Sequence, residues 1–433
     1  MRLDLQIVKI RGIRFGKITG VDQGILTLNR DEIAKLLAQD TRFERVEIEI
    51  ANPGERCRIL QVVDVIEPRA KLTPGPGDVL GVAGKHEATG LGKTTVLRGA
   101  AVIISDNRDK RGETISSEAH GAIIDMSGPG SEVSPFGQTH NVVVLPLPKK
   151  GVSATEYQVA LKLAGLKTSN YLAKAACKVA PDDIETYDLP ALTEITRGME
   201  DLPKVTYIVQ IVSLQFEPLP GEPVLLGQQA AGIVPTILHP NQVLDGAITS
   251  PFPGLNIQTY HIQNHPIVKA LYDRHGRDLC FAGVIAVVAP NNVFDFDRVA
   301  NITASLAKGV LGADGAILTK TAGGAPEMAM ARTAQRCEQL GIKTTVALMH
   351  MGADVKDAKY GGSTIFNMPE VDAIVSMGTP YMELTLPAVE RLVGRPGFSP
   401  EGPPIDGEIV RSIGAMKGVL CQMGSSKLTS VRY

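Results

Sequence analysis

Histidines carry the sharpest chemical signal in this chain. His239, His261 and His265 fall within one short stretch, and His140 follows a Gly-Pro loop, IDMSGPGSEVSPFG (124–137). A lone histidine is more often a hydrogen-bonded structural residue, whereas clustered imidazoles are metal ligands, with zinc the default. The grouping puts His239, His261, His265 and His140 forward as ligands or near-ligands of a divalent metal, zinc, acting as a Lewis acid. The HxxxH pair 261/265 would share one helix face, but Pro266 and the Asn/Gln-rich context predict extended or turn structure. His261 is also the candidate catalytic residue. Asp245, in DGAI (245–248), is the carboxylate placed to orient a ligand or act as a base.

Glycine-rich turns supply the second signal. KTAGGAPEM (320–328) follows an apolar run and opens a helical pattern. Free backbone N–H groups at Gly323 and Gly324 suit a carboxylate or phosphate there, and a tight strand-to-helix turn needs the same glycines. Ser127 in the Gly-Pro loop and Thr379 in GTPY (378–381) are further substrate-binding candidates. Glu327 and Glu383 lie just beyond such turns and are expected to be exposed. TGLGKTT (89–95) only imitates a phosphate loop: Glu87 stands where the first glycine belongs, and strands are predicted on both sides. A β-turn with an exposed Lys93 is the expectation.

The elements that position these groups change character along the chain. The first two hundred residues read as strands, with a helix at 31–40 and a long helical pattern at 154–180 broken near Gly165. From 203 onward the runs 204–213, 283–289, 314–319, 343–349 and 372–377 read as buried parallel strands. Helical patterns at 295–310, 325–340 and 384–394 separate the later ones. The expectation is an α/β protein: a β-rich α+β domain at 1–202 carrying the SGPG loop, then a Rossmann-like, doubly wound parallel-sheet domain at 203–433. Ligands of such sheets gather outside the carboxyl ends of the strands.

Composition narrows the class. With 433 residues, 44 basic and 46 acidic side chains balance to −2, which argues against a protein built to grip nucleic acid or an anionic membrane. The sequence holds no apolar run of about 18 residues, and its start lacks a signal-peptide core. Five cysteines scattered singly suit a reducing cytoplasm, where this chain is expected.

Taken together, NPGER (52–56), DVIEPR (64–69), LRGAAV (97–102), IIDMSGPGSEVSPFG (123–137), KVTYIVQ (204–210), IVPTILHPNQVLDGAI (233–248), YHIQNHPIVKALYDRHG (260–276) and FAGVI (281–285) resemble one family from end to end. It is the glycine/sarcosine/betaine reductase component B precursor, which is processed into α and β subunits. The resemblance implies a hetero-oligomer that reductively removes an amine from glycine or an N-methylated relative. It also implies self-cleavage at a cysteine after the DGAI segment, leaving a pyruvoyl group that captures the amino substrate. A selenoprotein partner subunit then attacks the activated carbon.

The chain departs from that pattern in one place. Residues 245–266 contain no cysteine, and Cys280 lies beyond them. Ser250 could yield a pyruvoyl group but is followed by Pro251, and Thr249 could not. The pyruvoyl mechanism is therefore not carried over, and the expectation is metal-assisted cleavage of a C–N or other carbon–heteroatom bond in a small amino or N-substituted carboxylate. The alternatives are a non-catalytic substrate-binding or scaffold subunit and a pyruvoyl enzyme using Ser250.

Overall fold

A computed structural model describes residues 1–73, 75–108, 122–212, 218–251, 257–290, 292–321, 324–349, 371–378, 380, 382–396 and 404–424. Strands β1 (Arg2–Lys9), β2 (Gly12–Phe15), β3 (Gly20–Asp22) and β4 (Ile25–Leu28) precede helix α1 (Arg30–Leu37). Next come β5 (Phe43–Ala51), β6 (Cys57–Ile59), β7 (Val62–Ile66), β8 (Arg69–Lys71), β9 (Gly92–Arg98), β10 (Ala100–Ser105) and β11 (Ile124–Asp125). Helix α2 (Gly128–Val133), β12 (His140–Pro148), α3 (Ala154–Ala175) and β13 (Asp183–Asp188) complete the first half. The second half begins with β14 (Lys204–Ile211), β15 (Thr236–Leu238), α4 (Pro240–Asp245), α5 (Thr259–Gln263) and α6 (Pro266–Arg274). It continues through β16 (Cys280–Val288), α7 (Val293–Ser305), β17 (Gly315–Thr319), α8 (Ala325–Gln339), β18 (Lys343–Leu348) and β19 (Ala373–Ser376). Strands β20 (Glu383–Leu386), β21 (Arg391–Val393) and β22 (Ile409–Ser412) come last.

The first half is built on two four-stranded mixed sheets, ordered β13-β1-β9-β8 and β5-β12-β10-β7. Helix α3 packs its buried face across β7, β8 and β10. Ser153 and Glu156 start it with a reciprocal capping box, which satisfies two N-terminal donors at once. The expected break at Gly165 does not occur. A Cβ there would lie 2.6 Å from Ile104 Cγ1 and 2.8 Å from Ile66 Cδ1. The glycine lets helix and sheet approach closely within one continuous helix.

The second half holds a six-stranded sheet ordered β15-β16-β14-β17-β18-β19, parallel except for the edge strand β15. Among the five parallel strands the sequence order is 2-1-3-4-5, a doubly wound topology whose switch point lies between β14 and β17. All nine residues of β16 are buried, as an unbroken apolar run covered on both faces requires. Met330 and Ala334 of α8 and Ala304 of α7 pack on one face. Leu244 of α4, Leu271 of α6 and Leu3 and Leu5 of β1 pack on the other.

The helix expected at 384–394 is instead two strands. Leu384 and Leu386 alternate toward a core with Ile409, and Pro387 ends the strand because it has no N–H to donate. Strand β21 then pairs in parallel with β6, Arg391 opposite Cys57, so the late chain returns to the first half. Among the described residues no helix is long and apolar enough to cross a membrane.

Buried ion pairs join the halves. Lys162 donates to Asp64 (2.6 Å) and to the Ser250 carbonyl (2.9 Å), while Asp64 also receives Thr259 N (2.9 Å) and Oγ1 (2.6 Å). Asp245 receives Lys71 Nζ (2.7 Å), Gly90 N (2.7 Å) and Thr94 Oγ1 (2.6 Å). Arg69 donates to Glu67 (2.6 Å) and reaches the Leu244 carbonyl. Removing one partner of such a pair leaves an uncompensated buried charge, which costs about 3–5 kcal/mol. Lys71→Met is expected to lower the thermal midpoint by roughly 10 °C. Lys71→Met/Asp245→Leu should recover most of that loss. A melt of the single variant within 2 °C of the parent, on the order of 1 kcal/mol, would show that the pair is not a clamp.

Candidate functional site

Beneath the switch point, Tyr207 of β14 places its hydroxyl 2.5 Å from Thr319 Oγ1 of β17 and 3.1 Å from His265 Nε2. His265 is the residue before α6 and makes no side-chain cap bond, Pro266 is the first helical residue, and the His265 ring stands edge-on to Tyr207 at 4.9 Å. The 260–275 segment is therefore helical in two pieces, where extended or turn structure is the sequence expectation. A proline at a helix's first position removes only an N–H that would go unused. His261, in the last turn of α5, lies 5.1 Å from the Phe136 ring, which the SGPG loop supplies. Two segments set apart in sequence thus meet at one imidazole.

Unmet polar atoms mark this place. His261 is buried and, among the described residues, neither of its ring nitrogens has a hydrogen-bond partner; nor do His265 Nδ1 or the two amide atoms of the fully buried Gln258. Buried polar groups are normally satisfied, so a cluster of exceptions points to a ligand or water that completes them. Burial, with His261 close by, pushes the His265 imidazole down to about 3, so it is neutral at physiological pH. The single Tyr207 proton goes either to His265 or to Thr319, and the three side chains form a short proton-sharing chain.

The proposed four-histidine metal cluster does not assemble. His239 caps α4: Nδ1 accepts from Asn241 N (3.1 Å) and Nε2 bonds the Pro190 carbonyl (2.9 Å), so both nitrogens are committed. His140 starts β12 and pairs Nδ1 with Asn52 Oδ1 (2.8 Å). Among the described residues no three His, Cys, Asp or Glu side chains converge on a point that could hold a metal ion. Both oxygens of Asp245 are engaged by Lys71, Thr94 and Gly90, so this carboxylate clamps the fold. Ser250 directs its hydroxyl to the carbonyls of Ile257 (2.8 Å) and Pro251 (3.0 Å), both downstream. Neither is the Thr249 carbonyl, the one that a serine-derived self-cleavage would attack.

The substrate-binding candidates are spread along loops. Ser127 is the N-cap residue of α2 and makes no side-chain cap bond, while its neighbour Asp125 is held by Arg58 (2.7 and 3.0 Å). Gly324 precedes α8 with φ of 71°, a conformation that favours glycine. Gly323 and Thr379 lie outside the described residues. Glu327, expected to be exposed, is buried and stands 3.3 Å from Lys320, itself buried at the end of β17. Sequence reading passed over Tyr207, Thr319 and Lys320. A tyrosine or lysine interrupting an apolar strand run was the available signal. Residues 92–98 form β9, and Lys93 is exposed, as the strand reading of TGLGKTT requires.

Comparison with known proteins bears on the whole chain. The family model described as glycine/sarcosine/betaine reductase component B subunits matches residues 1–414. The chain is 32% identical over 452 residues to "Glycine reductase complex component B subunits alpha and beta" of Acetoanaerobium sticklandii, covering all of both chains. It is 34% identical over 447 residues to the protein of the same description from Peptoclostridium acidaminophilum, again over all of both. Identity to "Sarcosine reductase complex component B subunit alpha" of P. acidaminophilum is 32%, over 98% of this chain and 94% of that one. No solved structure matches.

The depressed His265 value fixes a direction for acid stability. The folded state refuses a proton that the unfolded chain takes near pH 6.5, so this contribution is complete above about pH 6.5. It is lost progressively as pH falls through the window toward 3. The thermal midpoint should drop across that window, and less steeply in His265→Phe. A His265 ring resonance titrating near its ordinary value in NMR spectra would contradict the assignment.

Proposed function

The chain belongs to the family of glycine/sarcosine/betaine reductase component B subunits, and from that membership we propose that it is the substrate-holding subunit of a reductase complex. Its substrate is a small amino or N-substituted carboxylate, and the reaction cleaves the C–N bond. A partner subunit supplies the nucleophile that takes the carbon, so the bond breaks with its electron pair on nitrogen. His261 supplies the proton to the departing amine, and His265, Tyr207 and Thr319 behind it orient and replenish that proton. Residues 1–202 serve as the platform and residues 203–433 as the substrate-facing half. The observation that carries this reading is His261 itself: a buried imidazole against Phe136 of the SGPG loop, with both nitrogens unmet among the described residues.

The test is turnover of glycine, sarcosine and betaine by the chain assembled with its partner subunit. His261→Ala is expected to lower the rate by about 10²–10⁴-fold while leaving the thermal midpoint within a few degrees. Unchanged turnover would remove His261 from the chemistry. Intact-mass spectrometry of the purified chain should give one polypeptide, whereas two fragments split before residue 250 would restore the self-processing alternative.

A further inference from the structure

We propose that a groove beside helix α7 is the docking site for a second copy of this chain, each protomer seating its Phe294 in the groove of the other. This is independent of the reading of the chain as a substrate-holding subunit.

The knob comes from the start of α7. That helix carries two phenylalanines two positions apart, and their surroundings differ. Phe296 turns into the protein at 9% exposure, whereas Phe294 stands 85% exposed. Val293, the first helical residue, is 67% exposed beside it. Scattered exposed apolar residues are ordinary on a protein surface, but apolar side chains grouped beside a groove mark an interaction surface.

The hole lies next to the knob. Ile233, Val234 and Pro235, just before edge strand β15, line a groove of about 330 Å³ together with Val288 of β16 and Val299 and Ile302 of α7. Val234 is 63% exposed there. The α7 wall is one stripe of the helix, since Asp295, Arg298, Val299 and Ile302 follow i, i+3, i+4, i+7 spacing. Phe294 is one turn before Arg298, which sets it on the stripe alongside. Knob and hole thus share one face. A two-fold interface uses the same patch on both subunits and requires that self-complementarity.

Charge favours a second copy over a foreign partner. On the turn of α7 after Phe294, Arg298 is 71% exposed and pairs with Asp295 at 2.6 Å. Asp297, 75% exposed, lies 3.8 Å from Arg332 of α8. Two acids and two bases leave the patch neutral, so its own copy is not repelled, and adjacent Asp297 and Arg298 offer opposite charges for reciprocal pairing across the axis. A surface built for a charged partner carries one sign in excess.

Two reciprocally buried phenylalanines cover roughly 300–500 Å². Val234, Val293 and the groove walls of both copies must supply the rest of the roughly 1,000 Å² that a specific interface needs, so the dimer is reversible. The groove is on the α7 side of the sheet: Ile285 and Val287 pack toward that side, while Val284 and Ala286 share a core with Tyr207. A docked copy therefore sits across the sheet from Tyr207.

Sedimentation velocity of the full chain from about 1 to 100 µM should show a monomer passing into a dimer. Phe294→Asp is expected to weaken association at least about 30-fold with an unchanged thermal midpoint, because the side chain is exposed. Val234→Lys, on the groove side, should act in the same way. In mixed samples Phe294→Cys chains should cross-link to Val234→Cys chains, and cross-linking of Phe294→Cys only to itself would refute the reciprocal seating. A parent that stays monomeric over the whole range overturns the inference, including where the Phe294 face is covered by a different protein. So does a dimer that both charged variants leave intact.

Discussion

Charge can be buried in a protein only where it is neutralised, and that constraint organises this molecule. Asp64, Glu67, Asp125 and Asp245 are all carboxylates with essentially no exposure, and each is met by a lysine or an arginine. Three of these sites reach into the 244–264 stretch: Asp64 through Thr259, Glu67 and its Arg69 partner through Asn264 and the Leu244 carbonyl, and Asp245 directly. Burial alone would raise Glu67, but Arg69 and Arg98 hold it below the ordinary carboxylate range. The α4–α6 segment is thus carried by the first half of the chain and pressed against the sheet of the second.

That mounting explains why two imidazoles can stand unsatisfied at depth. A buried histidine with unmet nitrogens is costly and persists only where its surroundings over-determine its position. His265 is fixed by its place at the start of α6 and by Tyr207; His261 is fixed by the Phe136 ring. The free energy invested in the ion-pair clamps holds these groups in place while His261 and His265 Nδ1 stay without hydrogen-bond partners among the described residues.

Much of the fold was legible in the sequence because its strongest signals are local. Apolar runs such as 283–289 and 343–349 predicted the buried strands, and the alternation with helical patterns predicted the doubly wound half. The misreadings have local causes too. Gly165 reads as a helix breaker until the Ile104 and Ile66 side chains it accommodates are known. The 384–394 stretch has helical spacing on paper but pairs with β6, more than 300 positions earlier, which no local window records. The site was half legible. His261 and His265 stood out by residue type, whereas Asp245, His239 and His140 stood out equally and proved to be partners of lysine, proline and asparagine. Which histidine is spent on structure depends on long-range neighbours, and that information is absent from spacing.

The return of β21 to β6 bears on how the chain must be made. Strand β6 has β11 on one side and β21 on the other, and residue 123 bridges to Met416 nearby. Arg58, at the centre of this small sheet, donates to the carbonyls of Pro387, Ile405 and Gly407. A ribosome emitting the chain from its amino end delivers residues 1–202 long before these partners exist. Until residues 387–407 emerge, roughly tens of seconds after residue 202 at ordinary elongation rates, β6 is an open edge and the Arg58 guanidinium lacks most of its acceptors. The SGPG loop, tied to Arg58 through Asp125, can therefore settle only once residues 387–407 have been made. Assembly of the candidate site thus waits on a segment more than 300 positions beyond β6, and a chain cut before residue 387 lacks the partners that hold this loop.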